Sequence, residues 1–113
     1  MIINGVELED LDIYDVEVVE KYEKVIENIN KPKKFDGLKD SVVIRKLCEE
    51  IFNVFNELFG EGSDKKVFGN KVNLLICIKA FEELILQVNE QKKELDKIAN
   101  KYSPNRAARR SKK

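Results

Sequence analysis

Phe59-Gly-Glu-Gly-Ser-Asp-Lys-Lys-Val-Phe-Gly-Asn-Lys-Val-Asn73 holds three of the five glycines of the chain, with lysines and an acidic Ser-Asp step between them. A phosphate loop would need a buried strand before the glycines and a Gly-Lys-Ser/Thr opening to the helix that follows. Here a helical pattern precedes Gly60, and Gly69-Asn70-Lys71 lacks the magnesium-binding hydroxyl. A calcium loop fails as well, because Glu61, Ser63 and Asp64 do not supply oxygens at alternate positions and no acid closes the loop twelve residues on. As a connection between two helices every glycine acquires a backbone role. Gly60 takes the left-handed position that ends the first helix, Gly62 frees the chain, and Ser63 caps a short turn through Asp64-Lys-Lys. Val67 and Phe68 then dip into the core, and Gly69 ends the turn. The expectation is that Gly60 and Gly69 are helix-ending positions and that Phe68 is buried.

Upstream of this stretch, Val42, Val43, Ile44, Leu47, Cys48, Ile51, Phe52, Val54, Phe55, Leu58 and Phe59 recur at helical spacing, which places a helix from between Leu38 and Asp40 to Phe59, capped by Asp40 or Ser41. The apolar stripe is wider than one buried side requires, so this helix either packs on two sides within the domain or meets another subunit. Downstream, Asn70 or Asn73 caps a helix whose dense run Leu74-Leu-Ile-Cys-Ile78, followed by Ala80, Phe81, Leu84, Ile85, Leu86 and Val88, marks it as the central element. Beyond Phe81 the pattern thins to Leu84 or Ile85, Val88, Gln91, Leu95, Ile98 and Tyr102, a heptad-like seam interrupted at Gln91 and able to pair with something outside the body.

At the other end, Asn4-Gly5 is the dipeptide most favoured in a two-residue hairpin turn, since both positions tolerate positive φ. Leu8, Leu11 and Ile13 extend it as an apolar arm with acids between them. Asp15 caps a further helix with a stripe of Val18, Val19, Tyr22, Val25, Ile26 and Ile29, ending near Asn30, before Lys31-Pro32 and Gly37 break the pattern. The fold expected is mainly α: one domain over residues 1–103, with three principal helices and a short N-terminal hairpin over residues 1–13, and a disordered basic tail over residues 104–113.

Composition narrows the chemistry. The 113 residues contain no histidine and no tryptophan, which removes His-based triads, histidine zinc sites and imidazole acid/base catalysis. Cys48 and Cys77 lie within apolar helical patterns and read as reduced core thiols. Glu49-Glu50 and Glu82-Glu83 are adjacent on their helices and point apart, so they read as solvated faces and not as paired catalytic carboxylates. No catalytic, cofactor-binding or metal-ligating residue is assigned, no cofactor is expected, and the reading is non-enzymatic. No apolar run is long enough to span a membrane, and Met1-Ile-Ile-Asn lacks the layout of a signal peptide.

The 21 bases and 21 acids cancel overall but are segregated. Residues 1–30 sum to −7 and residues 101–113 to +6, so the two ends are electrostatically complementary. A basic end suits phosphates, yet this one carries no aromatic residue to stack on a base and the body offers no basic face to extend it. A small regulatory or nucleic-acid-binding role for the tail is therefore the alternative and not the first reading.

Ile3-Asn-Gly5 with the acidic segment Leu11-Asp-Ile-Tyr-Asp15, the core Phe55-Asn-Glu-Leu-Phe-Gly-Glu-Gly-Ser-Asp-Lys-Lys-Val-Phe-Gly69, the helix through Ala80-Phe-Glu-Glu83 and the terminal Asn105-Arg-Ala-Ala-Arg-Arg110 together resemble small proteins encoded by prophages and long-tailed phages of Gram-positive bacteria. In size, helical content and basic Asn-Arg-Ala-containing ends, these resemble tail assembly chaperones, and the likeness covers nearly the whole chain. The resemblance implies a non-catalytic factor that binds the long helical tape measure protein and keeps it soluble while tail tube subunits polymerise around it; the exposed apolar stripes add the expectation that it associates with itself. It further implies absence from the finished virion and contact with the tail tube protein; the missing span and leader layout add residence in the cytoplasm of the bacterial host with no membrane partner, and the bare basic end disfavours nucleic acid. It transfers no individual binding residue.

Overall fold

The computed structural model describes residues 1–102. The elements run β1 (Ile2–Ile3), β2 (Val6–Glu7), α1 (Val16–Ile29), α2 (Asp40–Phe59), α3 (Ser63–Phe68) and α4 (Leu74–Tyr102). The chain is thus mainly helical with an N-terminal antiparallel hairpin, as the periodicity predicts. The expected disorder of residues 104–113 lies outside the described residues.

The hairpin pairs Ile2 with Glu7 and Ile3 with Val6, which leaves Asn4-Gly5 as a two-residue loop with φ of 54° and 74°, the positive pair such a turn demands. Its tip is fastened to the helices: the Asn4 side-chain amide donates to the Val67 carbonyl at 2.8 Å and the Asn4 N–H donates to Glu83 Oε1 at 3.1 Å. The arm is a structural part of the core, since Ile3, Leu8, Leu11 and Ile13 are all buried.

Asp15 caps α1 by accepting from the Glu17 N–H at 2.9 Å. The carbonyl end of α1 has no base in its last turn; Lys33, from the following loop, donates to the Ile29 carbonyl instead and reaches Glu50 of α2 at 3.3 Å. Helix α2 starts at Asp40, within the expected range, but its cap differs from expectation. Lys39 occupies the cap position and makes no side-chain cap bond, so neither Asp40 nor Ser41 caps; Asp40 is already helical and lends its charge to the positive end of the dipole.

The stretch from Gly60 to Asn73 holds a fourth, short helix where the sequence suggested a turn. Asn56 Oδ1 accepts from the Asp64 N–H at 3.0 Å and the Gly60 carbonyl accepts from the Ser63 hydroxyl at 2.6 Å. These bonds start α3 with Gly62, not Ser63, at its N-cap. Gly60 does end α2 and Gly69 ends α3, but the residue in the left-handed helical well is Gly62 (φ 91°, ψ −4°), whereas Gly60, at φ 104° and ψ 158°, sits in a positive-φ region open essentially to glycine alone. Phe68 is buried, as expected. Its ring centroid lies 5.1 Å from that of Phe52 and 5.4 Å edge-on from that of Phe55, spacings at which aromatic pairs attract beyond simple area burial.

Helix α4 starts at Leu74 with Asn73 Oδ1 accepting from the Ile76 N–H at 3.1 Å. Its Cys77 touches Cys48, so α4 begins beside the middle of α2 and not at its C-terminal end; α3 and the Gly69–Asn73 turn carry the chain back to that level. The hub of the fold is α2, which packs against α1, α3 and α4, and not α4 as the density of apolar residues suggested. That settles the wide stripe of α2 in part: Cys48, Ile51, Val54 and Phe55 are buried within the molecule, while Val42 and Ile44 in its first turns are exposed.

The 29 residues of α4 span about 43 Å at 1.5 Å per residue. Its last buried residue is Val88, and no side chain from residue 89 to residue 102 is buried. The Cα radius of gyration is 17.0 Å, against about 13 Å for a compact chain of this size. The difference is the shape of a small body with a helical arm.

Candidate functional site

The glycine stretch offers little to an anion. The N–H groups of Gly60, Ser63 and Asp64 donate respectively to the Asn56 carbonyl, the Gly60 carbonyl and Asn56 Oδ1, and the Lys65 N–H donates to Asp64 Oδ1 at 2.8 Å. Amides already committed inward cannot converge on a bound phosphate. Among the described residues no three His, Cys, Asp or Glu side chains gather as a metal-holding group.

Cys48 and Cys77 are both free and fully buried. The Cys77 thiol is pushed up to about 12, first by burial and then by the hydrogen bond and charge of Cys48 beside it. A thiol so protonated and so enclosed is a poor nucleophile. The pair works as packing between α2 and α4.

The acidic steps separate in space. Glu83 Oε1 accepts from the Asn4 N–H and Glu50 faces Lys33, so each acid serves a different contact and neither adjacent pair acts as a unit. Glu50 and Glu57, with Asn28 and Asn53, line a cleft of about 210 Å³ between α1 and α2 that is floored by Val25 and Val54. It collects acceptors but brings no nucleophile beside a base. Tyr22, below it on α1, has its phenol raised by burial and lies under the Lys92 ammonium, 5.2 Å from the ring centroid, which ties α1 to α4.

What remains uncovered is apolar and helical. Val42 and Ile44 on α2, Leu75 and Ile78 on α4, and Val72 just before it are 36–61% exposed. The Cys48–Cys77 contact sets the first half of α2 beside the start of α4, the segments that carry or adjoin these five, while Ile2, Tyr14, Val16, Leu38 and Leu86 are exposed elsewhere along the chain. Helix α4 carries a second set on its arm: Ile98 is 45% and Tyr102 74% exposed. The width of the α2 stripe and the seam on α4 signalled both sets in the sequence. The anchoring roles of Asn4, Lys33 and Glu83 carried no sequence signal, because each depends on a contact made by the tertiary fold.

Among the described residues no helix is long and apolar enough to cross a membrane. No curated protein matches the chain, and no solved structure does. A family model covers residues 4–113, nearly the full length from the hairpin turn onward, and by that match the chain belongs to the family of unknown function DUF6673.

Proposed function

We propose that the protein is a non-catalytic assembly chaperone of a long-tailed phage, which binds the tape measure protein through exposed apolar helix surface and keeps it soluble while the tail tube polymerises. The observation that carries this reading is the exposure of Val42, Ile44, Val72, Leu75 and Ile78 on and beside the two packed helices α2 and α4. Solvent-exposed aliphatic side chains concentrated on neighbouring helices suit an amphipathic client helix, which recognises such a surface by side chains at three- and four-residue spacing. The segments resembling tail assembly chaperones supply the identity of the client. On this reading the protein works in the cytoplasm of the bacterial host and is absent from the finished virion.

Co-expression tests the reading. The chain should raise the soluble fraction of the tape measure protein encoded beside it, and Ile44→Asp with Leu75→Asp should abolish that effect while leaving the chaperone itself folded. Unchanged solubility of the tape measure protein with the parent chain would overturn the reading. Salt-sensitive retention on DNA, lost on deletion of residues 104–113, would favour the nucleic-acid alternative instead.

A further inference from the structure

The arm of α4 carries a patterned surface that the body leaves bare. Leu84, Val88, Gln91, Leu95, Ile98 and Tyr102 follow one another at alternating intervals of four and three, the spacing of a coiled-coil seam. Leu84 and Val88 are fully buried against the body. Past that point the same stripe emerges: Gln91 and Leu95 are half-buried, and Ile98 and Tyr102 are exposed. A seam that is filled by its own body at one end and open at the other is continued by another helix.

We propose that the helix completing it is the α4 arm of a second copy, paired antiparallel about a two-fold axis between Asp96 and Lys97. Charge and register select this occupant and this direction. Glu94 and Lys101 flank the seam on one side, and Lys92 and Ala99 flank it on the other. In a parallel, in-register pair the flanking positions that meet are Glu94 with Ala99 and Gln87 with Lys92, so no ion pair forms, and Gln91 is buried against Gln91. In the antiparallel pair Leu95 packs against the partner's Ile98, Gln91 against the partner's Tyr102, and Glu94 faces the partner's Lys101. Each contact occurs twice, as in any isologous interface. The amide of Gln91 then meets a tyrosine, whose hydroxyl and ring accept a half-polar neighbour better than an aliphatic layer does. Among the described residues of one copy Glu94 is held by Lys97, at 3.5 Å with both groups largely exposed, a weak restraint that an intermolecular pair easily replaces.

This inference specifies the self-association implied by the chaperone reading, but it uses the arm and not the α2–α4 end, so the two fail separately. The test is sedimentation equilibrium of the full chain with no client present. The parent should show a monomer–dimer equilibrium. Glu94→Lys, which turns two ion pairs into two repulsions, should weaken the dimer roughly tenfold, and adding Lys101→Glu should restore it. A parent that stays monomeric at every concentration overturns the proposal, as does a double variant no tighter than the single one or a dimer indifferent to Glu94→Lys. The exposed positions of both residues keep the fold intact, which circular dichroism of each variant verifies.

Discussion

Cys77 shows how a single residue ties stability to pH. Its proton is held more firmly in the folded protein than in the unfolded chain, because burial and the adjacent Cys48 oppose the thiolate and push the thiol from 9.0 up to about 12. The folded state therefore gains from this proton fully below pH 9.0, and the gain is lost as pH rises from there through about 12. Tyr22, raised from 10.0 by burial, acts in the same direction at higher pH. Urea unfolding midpoints measured on either side of pH 9.0 should fall with rising pH, and Cys77→Ala, though less stable throughout, should flatten the first part of that fall. A midpoint equally pH-dependent without the thiol would place the effect elsewhere. That both cysteines are buried was legible in the sequence, because each sits amid apolar residues at helical spacing. That they touch each other was not, because the contact depends on where α3 and the following turn return the chain.

Helix α3 is the element on which that return depends. Its six residues are too few to show a helical period or to hold as a helix unaided, which is why the sequence suggested a turn there. What holds it is tertiary: Asn56 Oδ1 at the Asp64 amide, Asn4 at the Val67 carbonyl, and Phe68 wedged between Phe52 and Phe55. The longer helices needed no such help to be read, since the stripes of α1, α2 and α4 extend over several turns and their caps Asp15 and Asn73 are of the expected type. Less legible was the role of α2 as hub, because a wide stripe states that more than one side is covered without stating by what. Phe68→Ala should therefore cost about 3 kcal/mol or more, the usual loss for a buried aromatic, read as a lower urea midpoint. Phe68→Leu, which keeps most of the volume, should cost less than half as much. Equal losses from both would mean that ring contacts, and not volume, fix α3 in place.

At the scale of the whole molecule, body and arm should be separable in stability. The body closes at Val88, where the seam of α4 makes its last fully buried contact, and the arm beyond it contributes helix but no core. A single and a double variant at different points of the same stripe should then behave differently. Leu84→Ala opens a cavity at a fully buried site and should lower the stability of the body by about 2–5 kcal/mol. Ile98→Asp with Tyr102→Asp places two charges at exposed positions of the same stripe, yet should shift the unfolding free energy of the dilute monomer by no more than about 0.5 kcal/mol per substitution, as at other surface positions. Denaturation at low protein concentration measures both. If the arm variant instead destabilises the dilute monomer as much as Leu84→Ala does, the arm packs onto its own body in solution, and a surface used at home is not free for a partner. If it does not, the continuation of heptad spacing over a segment that adds nothing to the monomer has its explanation in association, because apolar side chains at seam positions lower the solubility of a monomer without stabilising it.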